Sequence, residues 1–251
     1  MPFTFAHPFY AVPLKLLKPA WFSTTGLILG SMSPDFEYFI ALEPYQKIGH
    51  THMGLLLEAI PLSILFAYSF HRIIRLPLSI HLPSVSGLDA KAVRLIKPWN
   101  IHTIGQWIVF LLSVAAGFYT HIFLDGFTHD SGFYVKQLPF LQNTLAGIPL
   151  YKIGQHSLSL IGLLGLLAMA AALLRGSPPA EELYRAGNRQ KLMFWLIAAA
   201  VALMTVALKL ILSDSTNYIG ILVVSALSGG MLGITIASVI WMTADRRLRT
   251  K

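Results

Sequence analysis

The segment GFYTHIFLDGFTHDSG (residues 117–132) carries the sharpest chemical pattern in the chain, because His121, Asp125 and His129 recur four residues apart. On an α-helix, four residues turn the chain only about 40° past a full circle, so the three side chains share one face. An imidazole and a carboxylate placed this way reach one divalent cation, as paired ligands do on the helices of zinc and di-metal sites. The bland alternative is a polar helix end, with Asp125 capping and the histidines reaching for water. Gly126 and Gly132 also let the helix stop before His129, which would loosen the spacing.

Four further segments offer the same donor types. In GSMSPDFEYF (30–39), Asp35 and Glu37 follow Pro34, an ordinary helix-start signal. Asp35 nevertheless sits among apolar residues, where its charge needs a partner. In GHTHMG (49–54), His50 and His52 are two apart and do not share a helix face, so one ligand is expected from the pair. His156 opens a long apolar run after Gln155, and His7 stands alone in an apolar N-terminal stretch, where a structural role is the commoner one. With no cysteine in the chain, disulfides and thiolate metal sites drop out. Neutral imidazole and carboxylate suit Zn²⁺, Mn²⁺ or Fe. Such an ion with an open coordination position acidifies water toward neutrality. Glu37, Asp130 and His156 are then the expected catalytic groups, as general base or as support for a ligand's second nitrogen.

The elements that must position these residues are membrane helices. The chain is 55% hydrophobic and 12% charged, unlike a soluble domain. Five apolar runs of roughly 20 residues, the length that crosses a bilayer core, lie at 54–74, 103–124, 156–174, 192–212 and 218–242. They lack the alternation of barrel strands. The expected fold is all-α: a polytopic membrane helical bundle with five full spans and a short N-terminal helix at 21–33, which either re-enters or crosses as a sixth. No internal repeat is evident, and one integral-membrane domain over 1–251 is expected. Its motifs lie in 1–175, and 176–251 adds two generic spans.

Basic residues set the orientation. Arg72, Arg75, Lys91, Arg94 and Lys97 follow the first run, Arg175, Arg185, Arg189 and Lys191 follow the third, and Arg246, Arg247, Arg249 and Lys251 end the chain. These are alternate loops, which the positive-inside rule assigns to the cytoplasm. The net charge of +8 is therefore a topology signal with some affinity for anionic lipid, and nucleic acid is not an expected partner. The N-terminus has no signal-peptide core. His50, His52, His121, His129 and His156 then face outward. His7 joins them only if 21–33 re-enters, which is the expectation adopted here.

The motifs MPFTFAHP, GSMSPDFEYF, the His50-Thr51 step, THIFLDGFTHDSG and Gln155-His156-Ser157 resemble a bacterial family of small integral membrane proteins of unknown function. The likeness covers most of the first 175 residues and ranks His50 above His52. More distantly, the order His, Pro-Asp, His, His-x-x-x-Asp and a further His resembles the membrane-bound metal-dependent hydrolases and the prokaryotic zinc-dependent phospholipase C. That likeness implies His7, Asp35, His50, His121, Asp125 and His129 as metal ligands. A later His-x-x-x-Glu pair of the phospholipases is missing, since Leu160 follows His156 by four, so one or two ions are expected and not three.

These residues point to a metal-dependent hydrolase in the inner membrane. Its centre would face outside, its C-terminus the cytoplasm, and its substrate would be a phosphoester of a lipid or lipid-linked molecule. A metal-ion or proton transporter, using the same residues as a pathway, is the runner-up. Glu58 and Lys209 are the only acid and base deep within the runs. A non-catalytic accessory membrane protein is the third reading.

Overall fold

The computed structural model describes residues 3–178 and 185–244, mostly as helix. The basic residues at 246–251 and the helical turn expected after Pro178 and Pro179 lie outside the described residues. Among those described, five helices are long and apolar enough to cross a membrane: His52–Ile80, Ile104–Gln137, Leu150–Gly176, Asn188–Leu212 and Tyr218–Ala244, here spans 1 to 5. The chain is a multi-pass membrane protein.

Span 1 runs to Ile80, through residues expected as an interfacial linker. It keeps its helix across two prolines by widening ahead of each. Pro61 and Pro77 lack the N–H that would bond the carbonyl four residues back. The wide π turns Leu55–Ala59 and Phe70–Ile74 precede them, with Ile60 and Arg75 donating to the carbonyls of Leu55 and Phe70. Spans 2 and 3 also begin or end several residues beyond the apolar runs. The helical part of span 2, Ile104–Thr128, opens on a capping box in which Thr103 and Gln106 cap each other's amides. Span 3 begins at Leu150, so His156 lies inside it and does not open it.

The chain divides into two compact units that interleave in sequence. One comprises 1–36, 47–67 and 101–171; the other comprises 37–46, 68–100 and 172–251.

In the first unit, the N-terminal residues form a helical hairpin. Its outgoing arm is the helices His7–Ala11 and Pro13–Leu17, and its return arm is the helix Thr24–Met32. Lys15 closes the tip by donating to the carbonyls of Pro19 and Phe22. The outgoing arm lies on span 3, where the Phe3 amide donates to Ser159 Oγ at 2.9 Å and the Tyr10 hydroxyl to the Leu158 carbonyl at 2.7 Å. The return arm runs parallel to the second half of span 2: the Ser23 amide meets Ser113 Oγ, and Ser31 meets His121. Nine residues rise about 14 Å, under half of a hydrocarbon core of about 30 Å. Both arms have their His121 ends at the same level, so the segment leaves and returns on one side. The short helical hairpin fits the re-entrant expectation for this segment better than a sixth crossing.

The return arm can sit this close because the crossing is made of small residues. A Cβ on Gly30 would lie 2.2 Å from the Val114 carbonyl oxygen, and one on Gly117 would lie 2.5 Å from that of Leu27. Close backbone contact is how helices adhere where lipid offers no hydrophobic drive.

In the second unit, spans 4 and 5 pack through Gly229 and Gly233 against Ala202, Thr205 and Ala198. Lys209 pairs with Glu43 at 2.9 Å. Lys191, counted above among the cytoplasmic charges, is buried. Its Nζ donates to Asp89 Oδ2 and Ser84 Oγ, each at 2.6 Å, and to the Leu82 carbonyl at 2.7 Å. Beside it, Trp195 donates to the His81 carbonyl, and the His81 ring stacks on Phe194. Burial alone would raise Asp89; the Lys191 ammonium overrides it and holds the carboxyl below its ordinary 3.8. A carboxyl depressed on folding stabilises the protein fully above its unfolded value and loses that contribution as pH falls through the folded one. Lys191→Met should therefore lower the thermal midpoint in detergent, at a cost of about 3–5 kcal/mol for stranding one partner of a buried pair. The difference from wild type should shrink as the pH falls below the ordinary carboxyl value of 3.8, toward the depressed value at which folded Asp89 takes up a proton.

Candidate metal centre

Four segments of the first unit converge beside Asp125. Span 2 supplies His121 and Asp125, one turn apart on its buried face. The hairpin supplies His7 at the start of its outgoing arm and Asp35 in the 3-10 turn Ser33–Asp35 after its return arm. His50 arrives just before span 1, where Thr51 caps the helix by accepting from the Gly54 amide. Asp125 Oδ2 lies 3.2 Å from His121 Nε2 and 3.4 Å from His50 Nε2. Asp35 Oδ1 lies 3.7 Å and 3.8 Å from the same two nitrogens. Asp125 Oδ1 faces His7 Nε2 at 3.5 Å. Only the shortest of these falls in the ordinary range for a hydrogen bond. All sit close to the spacing of about 3.4 Å between donor atoms on a tetrahedral ion with bonds of about 2.1 Å.

Surrounding groups fix the orientation of two of these ligands. His121 Nδ1–H donates to the Ser31 carbonyl at 2.7 Å, which leaves the lone pair on Nε2, pointing at the carboxylates. Thr4 Oγ1 donates to Asp35 Oδ2 at 2.5 Å, which leaves Oδ1 for the cluster. Burial, with His121 adding to it, pushes His7 well below its ordinary value, so its imidazole is neutral, the form that ligates. Burial also raises Asp35, against the pull of His121 and His50. A carboxyl in that position gains from any cation placed beside it. His7, His121 and Asp125, and likewise Asp35, His50 and His121, bring their donor atoms within 4.8 Å of one another. Each set could hold a metal ion.

The remaining expected residues are placed differently. The helix of span 2 stops at Thr128, and His129 follows in extended conformation. It still turns back, its Nδ1–H donating to the Asp125 carbonyl at 3.0 Å, and stands at the edge of the cluster. His52 points away to the Tyr119 hydroxyl, whereas His50 stands with Asp35 and His121. Asp130 is exposed, and so is His156; on span 3 it is the neighbour Gln155 that is buried. Among the described contacts, none joins Asp130 or His156 to the cluster. Glu37 falls in the other unit. Two supporting groups went unrecognised in the sequence, the Thr4 hydroxyl and the Ser31 carbonyl. Thr4 stands three residues before His7, a spacing too common to read. A main-chain carbonyl leaves no mark in a sequence at all.

The family comparison spans residues 1–239. The chain belongs to the family described as a domain of unknown function, DUF4184. This membership takes in the last two spans, beyond the 175 residues over which the motifs suggested a likeness. No curated protein matches the chain, and no solved structure does. The likeness to hydrolases rests on residue order and on the cluster itself.

The small-residue crossing gives the centre a test at a distance. Gly117→Ala puts a methyl into the Leu27 and Ser31 backbone and pushes the return arm off span 2, so His121 should lose its Ser31 anchor. Zinc affinity, measured by chelator competition, should fall about 10- to 100-fold, the usual effect of losing a ligand's supporting hydrogen bond. Gly105→Ala, on the same helix where a Cβ would touch only Thr103 Oγ1 at 4.0 Å, should leave it unchanged, and so should His156→Ala.

Proposed function

We propose that this protein is a metal-dependent hydrolase acting at the extracytoplasmic membrane interface on a phosphoester of a lipid or lipid-linked molecule. The observation that carries the reading is a set of buried ligand atoms with no hydrogen-bond partner: Nε2 of His7 and His121, and Oδ1 of Asp35 and Asp125. Each such atom costs about 1–3 kcal/mol if left alone. A proton would relieve one nitrogen–oxygen pair; divalent cations relieve the whole set. The all-nitrogen-and-oxygen donor set suits zinc, with manganese or iron as alternatives.

Ring geometry supports two ions over one. The lone pair of an imidazole nitrogen lies in the ring plane, so a ligated ion lies near that plane. His7 and His121 are stacked, with centroids 3.7 Å apart and planes 12° from parallel. No single nearby point lies in both planes. Two ions side by side satisfy both rings, at the spacing of about 3.5–4 Å common in two-metal hydrolytic sites. Asp125 is oriented to serve both, with Oδ1 toward His7 and Oδ2 toward His50 and His121. The His50 ring stands at 73° to that of His121, so these two converge on one ion together with Asp35.

Cations held there would supply Lewis acidity toward a phosphoryl oxygen and toward water. The chain's own residues supply the rest. Ser31 and Thr4 hold His121 and Asp35 in ligating orientation. His50 and His129, with side chains 18% and 24% exposed, form the open edge of an otherwise buried cluster. Because His129 Nδ1 is engaged with the Asp125 carbonyl, its Nε2 is the atom available to hold or release a proton during ester cleavage. The alternate-loop distribution of Lys and Arg supports the extracytoplasmic side.

Protein purified in mild detergent should carry two zinc ions per chain by elemental analysis. His7→Ala should keep one, and His121→Ala or Asp125→Asn should keep none. Headgroup release from phospholipid vesicles should require the metal and stop with a chelator. Absence of stoichiometric metal would sink the proposal. Full metal without hydrolysis of any lipid phosphoester would turn the reading toward transport.

A further inference from the structure

The stretch from the end of the Ile104–Thr128 helix of span 2 to the start of span 3 is built like no other outer segment of the first unit. It consists of a one-and-a-half-turn helix Phe133–Gln137, a 3-10 turn Pro139–Gln142 and a two-stranded hairpin pairing Thr144–Leu145 with Ile148–Pro149. Ala146 and Gly147, at φ values of 52° and 79°, make the left-handed tip that such a tight hairpin requires. The segment is firmly seated. Val135 is fully buried, Tyr134 stacks on Phe127 of span 2 with centroids 4.0 Å apart, and Gln142 Nε2 donates to the Val135 carbonyl. The Leu150 amide closes it by donating to the Asn143 carbonyl.

Large apolar side chains stand exposed along it, among exposed Gln137, Gln142, Asn143 and Thr144. Phe133 is 66% exposed, Phe140 55%, Leu145 64% and Ile148 48%. These side chains come from the helix, the 3-10 turn and both hairpin strands, so they are spread across the whole segment. From Ser131 to Gly176 the sequence has no acidic residue, while Lys136 and Lys152 flank the exposed groups. The segment also joins two helices long and apolar enough to cross a bilayer, and so lies near one end of both. Exposed aromatic and aliphatic side chains with flanking cations and no acids are the composition that seats on an anionic bilayer interface.

We infer that residues 133–149 form a membrane-interface plate, inserted at the headgroup–acyl boundary of the leaflet beside the metal centre. The plate begins just after His129, at the open edge of the cluster, and Tyr134 packs over Gly126, next to Asp125. Resting on the hydrolase reading above, this selects the substrate class: an amphiphile that keeps its chains in the leaflet and presents its headgroup phosphoester sideways, with no need to leave the bilayer.

The absence of native cysteine makes a direct test clean. Single variants Phe140→Cys and Leu145→Cys, nitroxide-labelled and reconstituted in phosphatidylethanolamine–phosphatidylglycerol vesicles, should collide with oxygen in preference to a water-soluble nickel chelate. The same label at exposed Ser86 should show the reverse order. Chelate-dominated collisions at either plate position would overturn the inference, placing the segment in water. Protection from both reagents would overturn it as well, since a protein partner or a second copy would then be the occupant. Neither reading depends on turnover. A silent phosphoesterase assay with oxygen-accessible labels would fail the hydrolase proposal and leave the plate standing, and the converse pair of results would do the opposite.

Discussion

Everything in the first unit depends on how closely the Thr24–Met32 helix approaches span 2. With glycine at 26, 30 and 117, the two backbones touch, and the last turn of the shorter helix comes level with His121. That contact aims the Ser31 carbonyl at His121 Nδ1 and delivers Asp35 four residues later. One crossing therefore selects the imidazole tautomer, sets the ring direction and brings in a second carboxylate. Any side chain larger than hydrogen at 30 or 117 would disturb all three together.

The cluster also has to be tolerable at a membrane helix end. Two buried carboxylates carry negative charge into a region of low dielectric, where uncompensated charge is expensive. One divalent cation would neutralise them. A second would leave the centre net positive, which favours the negative charge of a phosphoester at the His50–His129 edge. The second unit meets the same problem differently: Lys191 and Asp89 neutralise each other, and Ser84 and the Leu82 carbonyl take up the remaining hydrogen bonds.

Much of this was readable from residue order. The apolar runs identify the five spans because a bilayer of fixed thickness demands them, and the four-residue interval of His121 and Asp125 identifies the buried face of span 2. Helix ends were less readable. The first apolar run ends at 74, yet wide turns absorb Pro61 and Pro77 and span 1 continues to Ile80. His156 was misplaced for a related reason. Span 3 starts six residues earlier than its apolar run, and the register of a helix is set by what it packs on; Ala6 and Phe9 meet Gly162 and Gly165, which turns Gln155 inward and His156 out. The spacing of Thr4, Ser31 and His7 from their partners across the fold left no local pattern to find.

The re-entrant hairpin has a consequence for how the protein is made. His7 leaves the ribosome well before its neighbours His121 and Asp125, which arrive only with span 2, and the outgoing arm rests on span 3, later still. Neither arm is long enough to insert by itself, and each half of the hairpin is an isolated short helix in water, which is marginal. The hairpin must therefore wait for the spans it packs on before it finds its place. The centre is a product of completed insertion, so partly inserted chains would have no competent site to fill with metal.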